Sequence, residues 1–356
     1  MKIYNTIGLM SGTSLDGLDI VYVELKFDLY WHYKILEAKT ISYSSEWINK
    51  LSNANNFSGT ELIKLNKDYG NYLGNQVNNF ISKYSINKNE IDLISSHGHT
   101  IFHQPQLRFT YQIGCGIEIS TKTNIKTICD FRSLDLAHGG QGAPLVPIGD
   151  LNLFSEYKYC LNLGGIANIS FDKNDQRVAG DIDFANINSN NLAKKLGFSM
   201  DENGGLANKG ILNESLLKEL KENNFYALSF PKSLAIEDYH NWYQPILNKY
   251  NISIYDQLHT TGIHLCQNIK KLLPKSNKQQ LLITGGGAYN SFWTNNLKKM
   301  GLDVILPDDQ TIQFKEALIF SFLGVLYLKK EVNTLSSVTG AKKDLKSGTL
   351  YDPKNF

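Results

Sequence analysis

Three glycine-rich turns, each placed just after a β-rich run, constrain this chain more than any other feature. They are Met10-Ser11-Gly12-Thr13-Ser14-Leu15-Asp16-Gly17-Leu18-Asp19, Asn162-Leu163-Gly164-Gly165-Ile166-Ala167-Asn168 and Thr284-Gly285-Gly286-Gly287-Ala288-Tyr289-Asn290. Glycine tolerates positive φ and lets backbone N–H groups come close to an anion. One such turn alone reads more readily as a tight hairpin. Three in one chain point to phosphate cradling. In the first turn the hydroxyls of Ser11, Thr13 and Ser14 add donors, and Asp16 or Asp19 suits Mg²⁺, directly or through water.

The segments around these turns alternate strand and helix, which sets the class as α/β or α+β with parallel pairing. Residues 3–9 and 19–27 read as an opening hairpin. Leu62, Leu65, Tyr69, Leu73, Val77, Phe80 and Tyr84 fall three or four apart and predict a helix over about 60–85. Ser58 with Glu61 makes a capping box at its start. A strand at 91–95 leads into His97-Gly98-His99-Thr100. Strands at 158–163 and 166–171 repeat the opening layout of strand, glycine turn, strand, which suggests two related halves. Helices are expected at about 187–196, 213–222 and 254–273, the last opened by Ser253 with Asp256 three residues on. A strand at 281–284 and helices at 290–300 and 314–328 follow.

Composition narrows the function. A length of 356 residues suggests about two domains. With 42% hydrophobic residues the chain is not a disordered one. Thirty-six basic against 34 acidic side chains leave a net charge of +2, not the lopsided field of a dedicated nucleic-acid binder. Cys115, Cys129, Cys160 and Cys266 form no CxxC and fit a reducing compartment. The N-terminus has no sustained apolar run of the signal-peptide kind. The greasy stretch 317–328 is too short to span a bilayer. A cytoplasmic protein with no nucleic-acid or membrane partner is expected.

Two nucleotide motifs are excluded. The first turn has Walker-like glycine spacing, but Leu18 stands where a P-loop needs Lys. No GxGxxG opens a helix, so a Rossmann site is not indicated. His97, His99 and His103 invite a zinc reading. His138, His240, His259 and His264 stand in no ligand-like pattern that would complete it, and hydrogen bonding within a loop is the plainer role.

The ordered set of segments resembles the anhydro-N-acetylmuramic acid kinase family of the sugar-kinase/heat-shock-protein/actin superfamily. Gly8-Leu9-Met10-Ser11-Gly12-Thr13-Ser14-Leu15-Asp16-Gly17-Leu18-Asp19 carries it, followed by Ser96-His97-Gly98-His99-Thr100 with His103, then Asp130-Phe131-Arg132. Gly139-Gly140-Gln141-Gly142-Ala143-Pro144-Leu145-Val146-Pro147 comes next, then the second and third glycine turns, Lys315-Glu316-Ala317 and Val338-Thr339-Gly340-Ala341.

The resemblance implies an α/β fold of two actin-like (ribonuclease H-like) lobes around a central cleft. The lobes are expected at 1–128 plus 335–356, and at 129–334. It implies an enzyme that uses ATP and Mg²⁺ to hydrolyse the 1,6-anhydro bridge of anhydro-N-acetylmuramic acid and phosphorylate O6. To the nucleotide it assigns the first turn from Ser11 through Asp19, then Gly164, Gly165, Gly285, Gly286, Gly287 and Asn290, with Asp16 toward Mg²⁺. To the sugar it assigns His97, Arg132 and Glu316. A homodimer is also implied, although no segment of the sequence defines an interface.

The family's base lies in a Phe-Asp-Thr-Gly-Pro-Gly-Asn segment. Here the corresponding stretch is Gly180-Asp181-Ile182-Asp183-Phe184-Ala185-Asn186. Asp181 and Asn186 keep the Asp-to-Asn spacing, which makes Asp181 the expected base. The Gly-Pro-Gly turn is missing, and Asp183 is a competitor. In an extended stretch the two carboxylates would share one side and couple electrostatically. The altered segment also leaves open a catalytically impaired homologue that binds muropeptide sugars as a sensor.

Overall fold

The computed structural model describes residues 2–273 and 280–355. The chain divides into two compact units, Met1–Leu153 with Phe314–Phe356, and Phe154–Gln313.

The first unit holds a seven-stranded sheet. Strands β1 (Ile3–Ser11), β2 (Leu18–Phe27) and β3 (Trp31–Ile41) form an antiparallel meander. Strand β4 (Leu93–Gln104) joins β1 in parallel, β5 (Phe109–Ile113) folds back on β4, and β6 (Thr127–Cys129) continues in parallel. The C-terminal strand Thr349–Tyr351 closes the edge against β6. The helix Gly59–Lys83 buries Leu65, Tyr69, Leu73, Val77 and Phe80, the face its spacing predicts. Its capping box is formed: Ser58 accepts from the Glu61 backbone N–H, and the Glu61 carboxylate accepts from that of Ser58.

The second unit holds a five-stranded sheet. Strands β7 (Tyr159–Leu163), β8 (Ile166–Lys173) and β9 (Gln176–Phe184) are antiparallel neighbours. Strands β10 (Gln280–Thr284) and β11 (Asp303–Ile305) extend the other side in parallel. Each sheet is therefore a three-strand meander whose first strand is flanked by a parallel pair. This shared order is the mixed sheet expected of an actin-like half, and it gives substance to the repeat suggested by the sequence.

The expected boundaries at 128/129 and 334/335 move to 153/154 and 313/314. Residues 129–153 stay with the first unit because Arg132 bonds to His97, and because Asp150 forms a buried ion pair with Lys315 at 2.7 Å. Residues 314–334 do so because the helix Asp309–Leu328 lies against β1 and β4. A Cβ on Gly8 would come within 2.1 Å of the Ala317 carbonyl oxygen, and one on Gly324 within 2.8 Å of Ser95 Cβ. Hydroxyl bonds from Thr6 to Ser321 and from Ser95 to the Phe320 carbonyl fasten the same contact. Among the described residues this helix alone is long and apolar enough to cross a membrane, and most of it is buried within the protein.

Candidate active site

The first glycine turn leaves β1 at Ser11 and enters β2 at Leu18. Thr13, Ser14 and Asp16 are exposed, while Ser11 is buried. The Ser11 hydroxyl is bonded to Tyr43 at 2.7 Å and to His99 Nδ1 at 2.8 Å, and Tyr43 passes the chain on to Tyr69 at 2.7 Å. Ser11 thus anchors the turn from below, and the exposed donors come from the residues after it. Leu15 sits at φ 62°, a conformation costly for a branched side chain. Gly17 allows close approach, since a Cβ there would meet the Ile41 carbonyl oxygen at 2.7 Å.

Asp19 accepts a 2.6 Å bond from Thr40 and lies near Asp16. Burial raises its pKa and the Asp16 charge adds to the rise, against the Thr40 hydrogen bond. An Asp19 carboxylate whose charge Asp16 disfavours, beside exposed hydroxyls, suits a divalent cation carrying phosphate oxygens. The residues therefore fit Mg²⁺. Among the described residues no cluster of three His, Cys, Asp or Glu could hold a metal by itself.

His97, Arg132 and Glu316 come together in the first unit. The Arg132 guanidinium donates to His97 Nε2 from Nη2 at 2.9 Å and Nε at 3.3 Å, and from Nη1 to the Gly142 carbonyl at 2.6 Å. Since Arg cannot accept, His97 Nε2 is the acceptor, and Nδ1 donates to the Gly98 carbonyl at 3.0 Å. Burial, then the Arg132 charge, pushes the His97 pKa well down, so the ring is neutral. Burial lowers Arg132 to about 10, opposed by Glu316 and Asp135, and it stays charged at neutral pH. Glu316 is open to solvent. Crowding by surrounding protein raises its pKa, and Arg132 opposes that rise. His97 also lies 4.6 Å, centroid to centroid, from Phe320, one helical turn after Glu316.

Asp135, which no sequence motif marks, organises this corner. It is fully buried, accepts from Gly142 N–H at 2.7 Å and from the Thr339 hydroxyl at 2.7 Å, and packs where a Cβ on Gly140 would clash at 2.1 Å. The segments 139–147 and 338–341 thus meet on one carboxylate, with Gly142 also holding Arg132. The cue is Gly140, where a Cβ would displace the Asp135 carboxylate five residues before it. The histidines of the zinc reading have other roles: His99 bonds to Ser11, and His103 to Thr110 at 3.1 Å.

In the second unit the second and third glycine turns touch, because β7 and β10 are parallel neighbours. A Cβ on Gly285 would meet Asn162 Oδ1 at 2.5 Å, and one on Gly287 would meet Leu163 Cβ at 2.6 Å. Asn186 clamps the second turn, donating to the Leu163 carbonyl at 3.1 Å and the Gly164 carbonyl at 2.8 Å. Asn290 caps the helix Ser291–Lys299 by accepting from the Trp293 N–H at 3.2 Å.

Asp181 and Asp183 do not share one side of a regular strand. Asn168 faces Asp181 and the adjacent Ala167 faces Asp183, so Ile182 is the extra residue of a β-bulge. The half-buried Asp181 accepts from the Leu234 N–H at 2.8 Å. Burial raises its pKa to about 6, against the Leu234 bond and the Lys232 charge. The bulge therefore turns the two carboxylates to opposite sides of the strand, not to the shared side expected. Asp183 is fully buried and paired with His264 at 2.7 Å. A half-buried carboxylate with its pKa near 6 has the properties of a proton acceptor at neutral pH.

Two sheets of this order with glycine turns at their strand ends are those of an α/β phosphotransferase of the sugar-kinase type. The comparisons are narrower. The profile of the family described as anhydro-N-acetylmuramic acid kinase matches residues 4–353. The Clostridioides difficile anhydro-N-acetylmuramic acid kinase is 34% identical, covering 99% of each chain. Those of Legionella pneumophila strain Lens and Shewanella frigidimarina are 31% and 32% identical, covering 99% and 95% of this chain and 98% and 95% of theirs. Among solved structures, the activator of 2-hydroxyisocaproyl-CoA dehydratase from Clostridium difficile with bound ADPNP is 14% identical, covering 92% of this chain and 98% of its own. Its TM-score is 0.42. The chain belongs to the anhydro-N-acetylmuramic acid kinase family.

Proposed function

We propose that this protein converts 1,6-anhydro-N-acetylmuramic acid, water and ATP into N-acetylmuramic acid 6-phosphate and ADP. The observation that carries this reading is Asp181. It keeps the family's Asp-to-Asn spacing with Asn186, and burial sets its pKa at about 6. At neutral pH it is mostly ionised yet basic enough to take a proton from water attacking the anomeric carbon. As the C1–O6 bond breaks, its electron pair stays on O6, which attacks the γ-phosphorus while the bond to the β-phosphate oxygen breaks. The water proton ends on Asp181, and no separate base for O6 is needed.

Arg132, held in a fixed plane by His97 and Gly142, faces the lactyl carboxylate of the sugar, and Glu316 accepts from a sugar hydroxyl. The N–H groups of residues 12–17 with the hydroxyls of Thr13 and Ser14, and the Gly164–Gly165 and Gly285–Asn290 turns, bind ATP. Asp16, with Asp19 beside it, would hold Mg²⁺, which when bound offsets charge on the phosphates. The rigidly held segment around Asp181 favours an active kinase over a sugar sensor. Incubation with Mg-ATP and the anhydro sugar tests the reading: one ADP should form per sugar 6-phosphate detected by mass spectrometry. Tight sugar binding by calorimetry without ADP release would overturn it.

A further inference from the structure

We propose that Asp183 is a positioning residue for this reaction: gripped by His264, Tyr226 and Asn268, it fixes the bulged end of β9 and so aims Asp181. The inference rests on the reading of Asp181 as the base. A bulge leaves one residue outside the ladder and frees the local twist of its strand. Here that residue is Ile182, directly between the two aspartates. Without restraint, the carboxylate of Asp181 would sample a range of directions, and misplacement by an ångström is enough to cost rate.

The restraint comes from both sides of the bulge. On one side Asp181 is tied to the 232–234 segment, through its own N–H to the Lys232 carbonyl at 2.8 Å and through its carboxylate to Leu234. On the other side Asp183 accepts four contacts. The Phe184 N–H at 2.9 Å and the Tyr226 hydroxyl at 2.8 Å reach Oδ1. Asn268 Nδ2 at 3.0 Å and His264 Nδ1 at 2.7 Å reach Oδ2. His264 and Asn268 are four apart on the helix Ile254–Leu272, so both approach from one rigid face. Tyr226 packs edge-on against the His264 ring at 4.8 Å.

Burying a carboxyl group among polar partners carries a desolvation cost that an apolar side chain would avoid, so its presence asks for a role other than stability. The chemistry of that role is geometric. Where the related pattern has a Gly-Pro-Gly turn, this chain has Asp183-Phe184-Ala185, and the clamp on Asp183 does the work of a stiff turn.

A double-mutant cycle on turnover tests this. Asp183→Asn should lower kcat about 10- to 100-fold, with KM for sugar and ATP within twofold. Tyr226→Phe, which removes a single hydroxyl, should lower kcat about 3- to 10-fold, and it decides the matter alone if Asp183→Asn fails to fold. In an Asp181→Asn background, with residual turnover followed over hours at high enzyme concentration, Asp183→Asn should change the rate less than twofold. A loss by the same factor in both backgrounds, or an unchanged kcat in folded Asp183→Asn and Tyr226→Phe, overturns the inference. An inactive Asp181→Asn beside an unimpaired Asp183→Asn overturns the positioning role alone. Full turnover by Asp181→Asn overturns the base assignment and this inference with it.

Discussion

Asp181 and Asp183 stand two residues apart in one strand, yet their surroundings give them opposite characters. The first is half-buried with one backbone donor, and the second is sealed among four partners. Burial raises the Asp181 pKa from 3.8 to about 6, so kcat/KM should be full above that value and fall tenfold per pH unit well below it. A pH–rate profile with no acidic limb near 6 would contradict this. The same shift has a stability consequence. A folded carboxyl that holds its proton more tightly than the unfolded one favours the fold at low pH. Its penalty appears between about pH 4 and 6 and is complete above. Two pKa units correspond to at most about 3 kcal/mol. Asp181→Asn should therefore lose at least about a thousandfold in kcat and, at pH 7.5, melt a few degrees higher. A lower melting temperature in differential scanning calorimetry would count against the burial argument. Arg132 belongs to the same scale. Its planar fork spans His97 and Gly142, which a lysine cannot do. Arg132→Lys should raise KM for the sugar about tenfold or more and leave KM for ATP nearly unchanged in steady-state assays.

At the scale of elements, what could be read in the sequence was what depends on local pattern. The Gly59–Lys83 helix shows itself through apolar residues three and four apart and through Ser58 and Glu61 at its cap. The glycine turns show themselves because tight geometry leaves a compositional trace. Strand β9 is hidden, because its bulge breaks the period of two and because a fully buried Asp183 reads as polar until His264, 81 positions on, supplies its partner. Strand β3 is hidden for another reason: most of it is only half-buried, and charged residues interrupt its alternation. The Ser11–Tyr43–Tyr69 hydroxyl chain and the hold of Thr339 on Asp135 join residues too distant in sequence for any spacing rule. The Asp309–Leu328 helix offers a test of element packing. Gly8→Ala would press a methyl against the Ala317 carbonyl, and overpacking of this kind costs about 1–3 kcal/mol. Denaturant titration should show a lower midpoint at unchanged slope, and a neutral result would mean the helix does not lie this close to β1.

At the scale of the molecule, the two sheets share a strand order but not a chain topology of assembly. The Phe154–Gln313 unit is one continuous stretch with its own sheet and its own apolar core, running from Tyr159 through Phe184 and Leu265 to Ile312. The other unit needs both ends of the chain. Its C-terminal piece brings Lys315 to Asp150, Thr339 to Asp135 and Thr349–Tyr351 to β6. A fragment of residues 154–313 buries its own core and meets the size of an independent domain. Expressed alone it should give mixed α/β circular dichroism and a single cooperative melt. A fragment of residues 1–153 lacks the helix that covers β1 and β4 and the strand that closes β6, and it should show exposed apolar surface by dye binding. Adding residues 314–356 in trans should reduce that signal. A non-cooperative 154–313 fragment beside a well-folded 1–153 fragment would reverse the assignment of which half carries its own stability.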